Sequence, residues 1–184
     1  MATDDYVRMT VEGLTLDPTT KTPIVVLKDE ATELTLPIWI GLLEATSLAT
    51  ELEGIELARP MTHDLLKTLV EEAGARVARV EVTSLKDNTF YASIHIEVDG
   101  GQRTVDSRPS DAISLALRAG CPIYVARDVL ESSAIPAEPP GAVEEGADEV
   151  DAAEAEAQDI SDVSRDEWSE ILEKLDPSDF KYKM

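Results

Sequence analysis

Ala78-Arg79-Val80-Glu81-Val82, then Asp87-Asn88, then Phe90-Tyr91-Ala92-Ser93-Ile94-His95-Ile96-Glu97-Val98, is the stretch that decides the fold. Ala78, Val80 and Val82 alternate with polar neighbours, so they share one face of a strand. Phe90, Ala92, Ile94, Ile96 and Val98 alternate in the same way on the return. Between them Asp87-Asn88 supplies a tight turn, since asparagine tolerates the backbone angles that such turns need. Asp99-Gly100-Gly101 turns the chain once more, into Arg103-Thr104-Val105-Asp106. A three-stranded antiparallel meander is the expectation.

Before the meander the hydrophobic period changes twice. Val7 to Glu12 alternates as a strand, Ile24 to Leu27 is a continuous apolar run, and Leu34, Leu36, Ile38 and Ile40 alternate again. Pro37 within that last run points to a sheet edge. Leu42, Ala45, Leu48, Ala49 and Leu52 then recur at helical spacing until Gly54. A second helix starts at Thr62 and is expected to bury Leu65, Leu66, Leu69, Val70 and Ala73 before Gly74 stops it. After the meander a short helix follows Pro109, with Ala112, Ile113, Ala116 and Leu117 on its apolar side. Gly120 ends it, and Pro122 to Val125 forms a last strand. The chain therefore predicts an α+β domain over residues 1–135, with a mixed or antiparallel sheet and about three packed helices.

Composition limits what such a domain can do. The 184 residues carry a net charge of −22. Residues 1–135 hold 22 acids and 12 bases, and residues 136–184 hold 16 acids and 4 bases. No Lys/Arg-rich run exists, which counts against nonspecific attraction to nucleic acid, so any such role needs a local site. Residues 136–163 contain ten acids, seven alanines and no base, a composition that favours a disordered linker. Ser164-Arg165-Asp166-Glu167 is a capping box, and Trp168, Ile171, Leu172 and Leu175 make a narrow apolar stripe behind it. Residues 164–184 thus predict a short amphipathic helix and tail that needs a surface, on its own domain or on a protein partner. The N-terminus is acidic, no apolar run reaches the length of a membrane span, and Cys121 is the only cysteine. A reducing cytoplasm is the expected location.

Chemistry concentrates at Asp106-Ser107-Arg108-Pro109-Ser110-Asp111. Pro109 keeps Arg108 out of helical geometry, and Asp111 falls in the first helical turn. Two carboxylates and a guanidinium could converge there to hold a divalent cation and grip a phosphate. The same residues also suit ordinary capping and scaffolding. Arg59-Pro60 with Asp64, a helix and Ala73-Gly74 echoes Arg108-Pro109 with Asp111, a helix and Ala119-Gly120. Glu44 stands in the first turn of its helix, with Glu51 on the same face about 10 Å away. His63, beside Asp64, is a candidate proton carrier or ligand, whereas His95 points outward and Cys121 reads as core filling. No phosphate-binding Gly-rich loop, nucleophile elbow or His-Glu-x-x-His motif is present.

These residues carry a family resemblance. Leu36-Pro37-Ile38-Trp39-Ile40-Gly41 with Glu44-Ala45, Leu52-Glu53-Gly54, Arg59-Pro60 with Thr62-His63-Asp64-Leu65-Leu66, Asp87 with Thr89-Phe90-Tyr91-Ala92, and Val105 to Ile113 resemble the bifunctional nuclease domain, in the family's order, over residues 6–135. The resemblance implies an α+β fold and activity on DNA and RNA. It puts the catalytic site at Arg59, Asp64, Asp106, Arg108 and Asp111. A divalent ion, Mg2+ or Mn2+, is expected on Asp106 and Asp111, with Glu44 and His63 as weaker ligands. The acidic tail lies outside the resemblance. Two other readings stay open: a non-catalytic adaptor working through the C-terminal helix, and anion binding at the two Arg-Pro helix entrances. Self-association is compatible with each.

Overall fold

The computed structural model describes residues 5–136, apart from residues 30 and 33. From residue 137 on, the expected linker and the helix bearing Trp168 lie outside the described residues. In chain order the elements are β1 (Tyr6–Leu16), β2 (Pro23–Lys28), β3 (Leu34–Trp39), α1 (Leu42–Leu52), α2 (Thr62–Glu72) and β4 (Ala75–Lys86). There follow β5 (Thr89–Val98), β6 (Gly101–Ser107), α3 (Pro109–Ala119), β7 (Ile123–Ala126), α4 (Arg127–Ser133) and the two-residue β8 (Ile135–Pro136). The strands form one mixed sheet in the order β6-β5-β4-β7-β1-β2-β3-β8. Among the described strands only β4 and β7 run parallel.

The meander forms as its turns require. Asp87 and Asn88 have φ of 50° and 57°, and Asp99 and Gly100 have 53° and 72°. Two consecutive left-handed residues give the hairpin turn whose twist matches the flanking strands. One detail departs from simple alternation. The β4–β5 register shifts between Val77 and Arg79, so Val77 rather than Ala78 joins Val80 and Val82 in the core. An extra residue in one strand resets which side chains face inward. At the other end of the sheet β8 reaches Leu34 and Thr35, so among the described residues Pro37 lies where β3 has a single neighbour.

α3 is the centre of the helical layer and packs against β4, β5, α1 and α2. Contact on so many sides buries Ser110, Ser114 and Arg118 along with Ala112, Ile113, Leu115 and Ala116. Leu115 is therefore the buried leucine, while Leu117 sits half-buried. α1 buries Ala45, Leu48 and Ala49 as its spacing predicts, and also Ser47. α2 does not behave as expected. Leu65, Leu66 and Leu69 are exposed, and no residue of the helix is fully buried. Its inward edge is His63, Asp64 and Val70, turned away from the leucine row, because α2 meets α3 through polar side chains. The helix α4 goes unanticipated, since only Val129 and Leu130 mark it as apolar. No helix among the described residues is long and apolar enough to cross a membrane.

Candidate active site

Three helix starts bring the site together. Arg108 is the N-cap of α3, extended at φ −69° and ψ 147° as a residue before proline must be. Its Nε and Nη2 donate to the two carboxylate oxygens of Asp111 at 2.7 and 3.0 Å. Nη1 donates to Oε1 of Glu44, in the first turn of α1, at 2.7 Å. From α2, Nε2 of His63 lies 3.2 Å from Asp111 Oδ1, and His63 Nδ1 lies 3.0 Å from the Ser47 hydroxyl. An ionised Asp111 can only accept. In the neutral ring Nε2 therefore carries the proton and Nδ1 accepts from Ser47. Burial pushes the Asp111 carboxyl up, but the bonds from Arg108 and His63 outweigh it and hold it below the usual range. Its bonds to Asp111, foremost, and to Glu44 raise Arg108 further against the effect of burial.

A second cluster continues along the seam. Arg118, with its side chain only 3% exposed, donates from Nε to Asp64 and lies 3.7 Å from Glu51. Its Nη1 and Nη2 donate to the carbonyls of Ser114 and Ser47 at 3.1 and 3.0 Å. Asp64 also accepts from the Met61 backbone N–H at 2.7 Å, capping α2. Burial raises the Asp64 carboxyl, and the bonds from Met61 and Arg118 lower it by more. The two helices thus exchange bases: α2 gives His63 to the first-turn aspartate of α3, and α3 gives Arg118 to that of α2. Loss of these carboxylate charges should unfold the domain in acid. Both folded pKa values lie below the ordinary one. The stability they add is therefore whole above about pH 4 and falls as pH drops through the lowered values. A melting temperature flat from pH 6 to 3 would contradict this.

Two clefts open on the seam. The first, about 280 Å³, is lined by Trp39, Gly41, Glu44, Phe90, Arg108 and Pro109. Both α1 and α3 begin at its wall, which Gly41, Glu44, Arg108 and Pro109 line. Three of the five guanidinium N–H groups of Arg108 are committed, and the side chain is 60% exposed. Two donors remain for a ligand. Glu44 folds back over Gly41, where a Cβ would come within 2.3 Å of Oε2. Gly41 has φ −75° and ψ 160°, angles any residue adopts, so its missing side chain matters only for Glu44. Gly41→Ala should leave the unfolding free energy within about 0.5 kcal/mol of the parent while displacing Glu44 from Arg108. A crystal structure of the variant with the Arg108–Glu44 contact broken and stability unchanged would show this, and a large loss of stability would contradict it.

The second cleft, about 390 Å³, is lined by Glu51, Glu56, Arg59, Asp64 and Arg118 among others. The residues proposed from sequence therefore part company. Arg108 and Glu44 line the first cleft, with Asp111 bonded to Arg108 and His63 to Asp111, while Arg59 and Asp64 line the second. Asp106 joins neither. It stands opposite Ser93 on β6, and Ser93 in turn stands opposite Glu81, so Asp106 lies on the sheet face away from the helices. Strand alternation puts Asp106 and the residue leading to Arg108 on opposite faces.

That separation matters for a divalent cation. Among the described residues no three His, Cys, Asp or Glu side chains gather to hold a metal ion. Asp111 and one oxygen of Glu44 are already turned to Arg108, so a guanidinium stands where the second carboxylate's cation would be. The donor set does not fit a resident Mg2+ or Mn2+. Arg118 and Ser47 were not foreseen. The spacing of Asp111, Ser114 and Arg118, i, i+3 and i+7, marks a polar stripe on α3 that could have revealed the first. Cys121 is half-buried, and burial pushes its thiol up, away from nucleophilic use.

Comparison with known proteins places this geometry. Residues 25–138 match the family model of the bifunctional nuclease domain. The chain is 33% identical over 171 residues to an uncharacterized protein of Mycobacterium tuberculosis, covering 93% of this chain and 96% of that one. It is 32% identical over 107 residues to Bifunctional nuclease 1 of Arabidopsis thaliana, covering 56% of this chain and 33% of the plant protein. Bifunctional nuclease 2 of the same plant is 30% identical over 105 residues, 55% of this chain and 32% of its own length. The matched family span takes in both clefts, all four helices and every site residue named above. The chain belongs to the bifunctional nuclease domain family.

Proposed function

We propose that this chain hydrolyses phosphodiester bonds of DNA or RNA at the cleft between Arg108 and Glu44. One observation carries the reading: an exposed guanidinium with two uncommitted donors stands where two helices begin, beside a carboxylate with one free oxygen. Arg108 and the helix N-termini hold a nonbridging phosphate oxygen and stabilise the charge that builds up on it. Glu44 Oε2 takes a proton from an attacking water as the new P–O bond forms. The old P–O bond breaks, and its oxygen takes a proton from solvent. Asp111 and His63 are positioning residues, since they fix the plane of the guanidinium. Arg59, at the second cleft, offers a further cation to a neighbouring phosphate. A divalent ion has no step assigned, because the side chains do not provide its cage.

The test is cleavage of single- and double-stranded DNA and RNA by the full chain, with and without EDTA, with Asp111→Asn prepared alongside to exclude contamination. Cleavage by the parent that survives chelation and is lost in the variant supports the reading. Cleavage by both alike moves the reaction away from this cleft. Loss under EDTA alone means an ion arrives with the substrate. The exposed row Leu65, Leu66 and Leu69 favours a second reading, a module that docks a protein partner or another copy of itself. Under that reading no nucleic acid is cut, and Leu66→Asp abolishes the association.

A further inference from the structure

We infer that the first cleft is a subsite for one unpaired nucleotide, with Trp39 as the stacking wall for its base and Arg108 as the clamp on its phosphate. The inference rests on the nuclease reading for the identity of the polymer and adds that the polymer is engaged as a single strand. Trp39 ends β3 with its side chain turned outward, 53% exposed. Tryptophan supplies so much apolar surface that leaving half of it in water is costly unless something covers it. The ring is also held. Its indole N–H donates to Asp17 Oδ2 at 3.1 Å, and Asp17 is itself fixed by the backbone N–H groups of Thr19 and Thr20 at 3.0 and 2.8 Å. An exposed aromatic face pinned in one orientation is a platform.

The rest of the cleft suits the same guest. Phe90 and Pro109 extend the apolar lining, and about 280 Å³ accommodates a nucleobase with part of its sugar. Asn88 and Thr89 stand on the rim, where the Asn88 carboxamide makes no hydrogen bond among the described residues and can meet a base edge. Arg108 lies on the same wall with its two spare donors. An aromatic ring can cover a base only when that base has left its stack, and in a duplex both faces are occupied.

Charge leads to the same conclusion. Residues 1–135 hold ten more acids than bases, so affinity cannot come from counterion release along a duplex backbone. Stacking supplies affinity that does not depend on net charge. It also tolerates every base and either sugar, as expected for a domain acting on both DNA and RNA.

The experiment uses the full chain carrying Trp168→Phe, so that Trp39 is the only tryptophan. Binding of labelled oligothymidylate, and of a duplex of mixed sequence, is followed by anisotropy at low salt together with Trp39 fluorescence. The single strand should bind more tightly than the duplex and quench Trp39. Trp39→Ala, measured by anisotropy, should weaken single-strand binding by roughly 5- to 150-fold without changing its salt dependence. Trp39→Phe should recover most of that loss, and Arg108→Gln should instead flatten the salt dependence. Equal affinity for both forms, no quenching, or an unaltered Trp39→Ala overturns the subsite, and a nuclease active in the assay above would survive that result. Quenching and a Trp39→Ala loss in a protein that cuts nothing would keep the subsite and sink the nuclease. Phe90→Leu provides a second variant should Trp39→Ala melt early.

Discussion

Replacing Arg118 by methionine is expected to lower stability by about 3 kcal/mol, a fall of roughly 10 °C in melting temperature. The side chain is almost fully enclosed and bonds to two backbone carbonyls and to Asp64. Methionine fills much of the same volume, so packing changes little. What is lost is one donor to a partly buried carboxylate and one to each of two carbonyls, which then stand desolvated with a partner fewer. Arg118→Lys should recover only part of the loss, because one ammonium cannot span all three acceptors as the planar fork does. Lys67→Ala is the control, since its pair with Glu71 is exposed and 3.9 Å long. It should stay within about 0.5 kcal/mol of the parent. Equal melting of all four proteins would mean that the seam contributes nothing to stability.

Arg108 should show the opposite signature. Arg108→Ala is expected to reduce kcat/KM for cleavage by about 100- to 1000-fold with little change in melting, since the side chain is largely exposed. Arg108→Lys should remain at least about 10-fold impaired, because lysine keeps the charge but cannot hold Asp111, Glu44 and a phosphate at once. The outcome that would sink the assignment is an Arg108→Ala enzyme cutting at the parent rate. A loss of activity matched by a proportional loss of folded protein would reduce Arg108 to scaffolding.

The meander, the helix starts and the pre-proline geometry of Arg108 were all legible in the sequence, because each depends on two or three neighbouring residues. Asp87-Asn88 adopts the left-handed pair its composition suggests, and Pro109 fixes Arg108 as it must. Two other inferences failed because they needed partners from far along the chain. Leu65, Leu66 and Leu69 form as good an apolar stripe as any core helix, yet α2 turns its other edge inward to meet Asp111 and Arg118. Asp106 is two residues from Arg108 in sequence, but one step of strand alternation sends it to the other face. Glu44, a weaker candidate than Asp106 from sequence, reaches Arg108 because α1 and α3 start side by side. The pairing of Ser47 with His63 joins residues sixteen apart and has no local signature.

The exchange of bases between α2 and α3 has a kinetic corollary. With its leucines in water, α2 is fastened mainly by His63, Asp64 and Val70, so it has the weakest anchorage of the three long helices. Its amides should exchange with solvent through local opening well before those of α3. Each such opening withdraws His63 from Asp111 and unsettles the plane of Arg108. The cleft at Arg108 is thereby tied to a latch of polar contacts, whose one strong ion pair is enclosed and so only weakly screened by added salt.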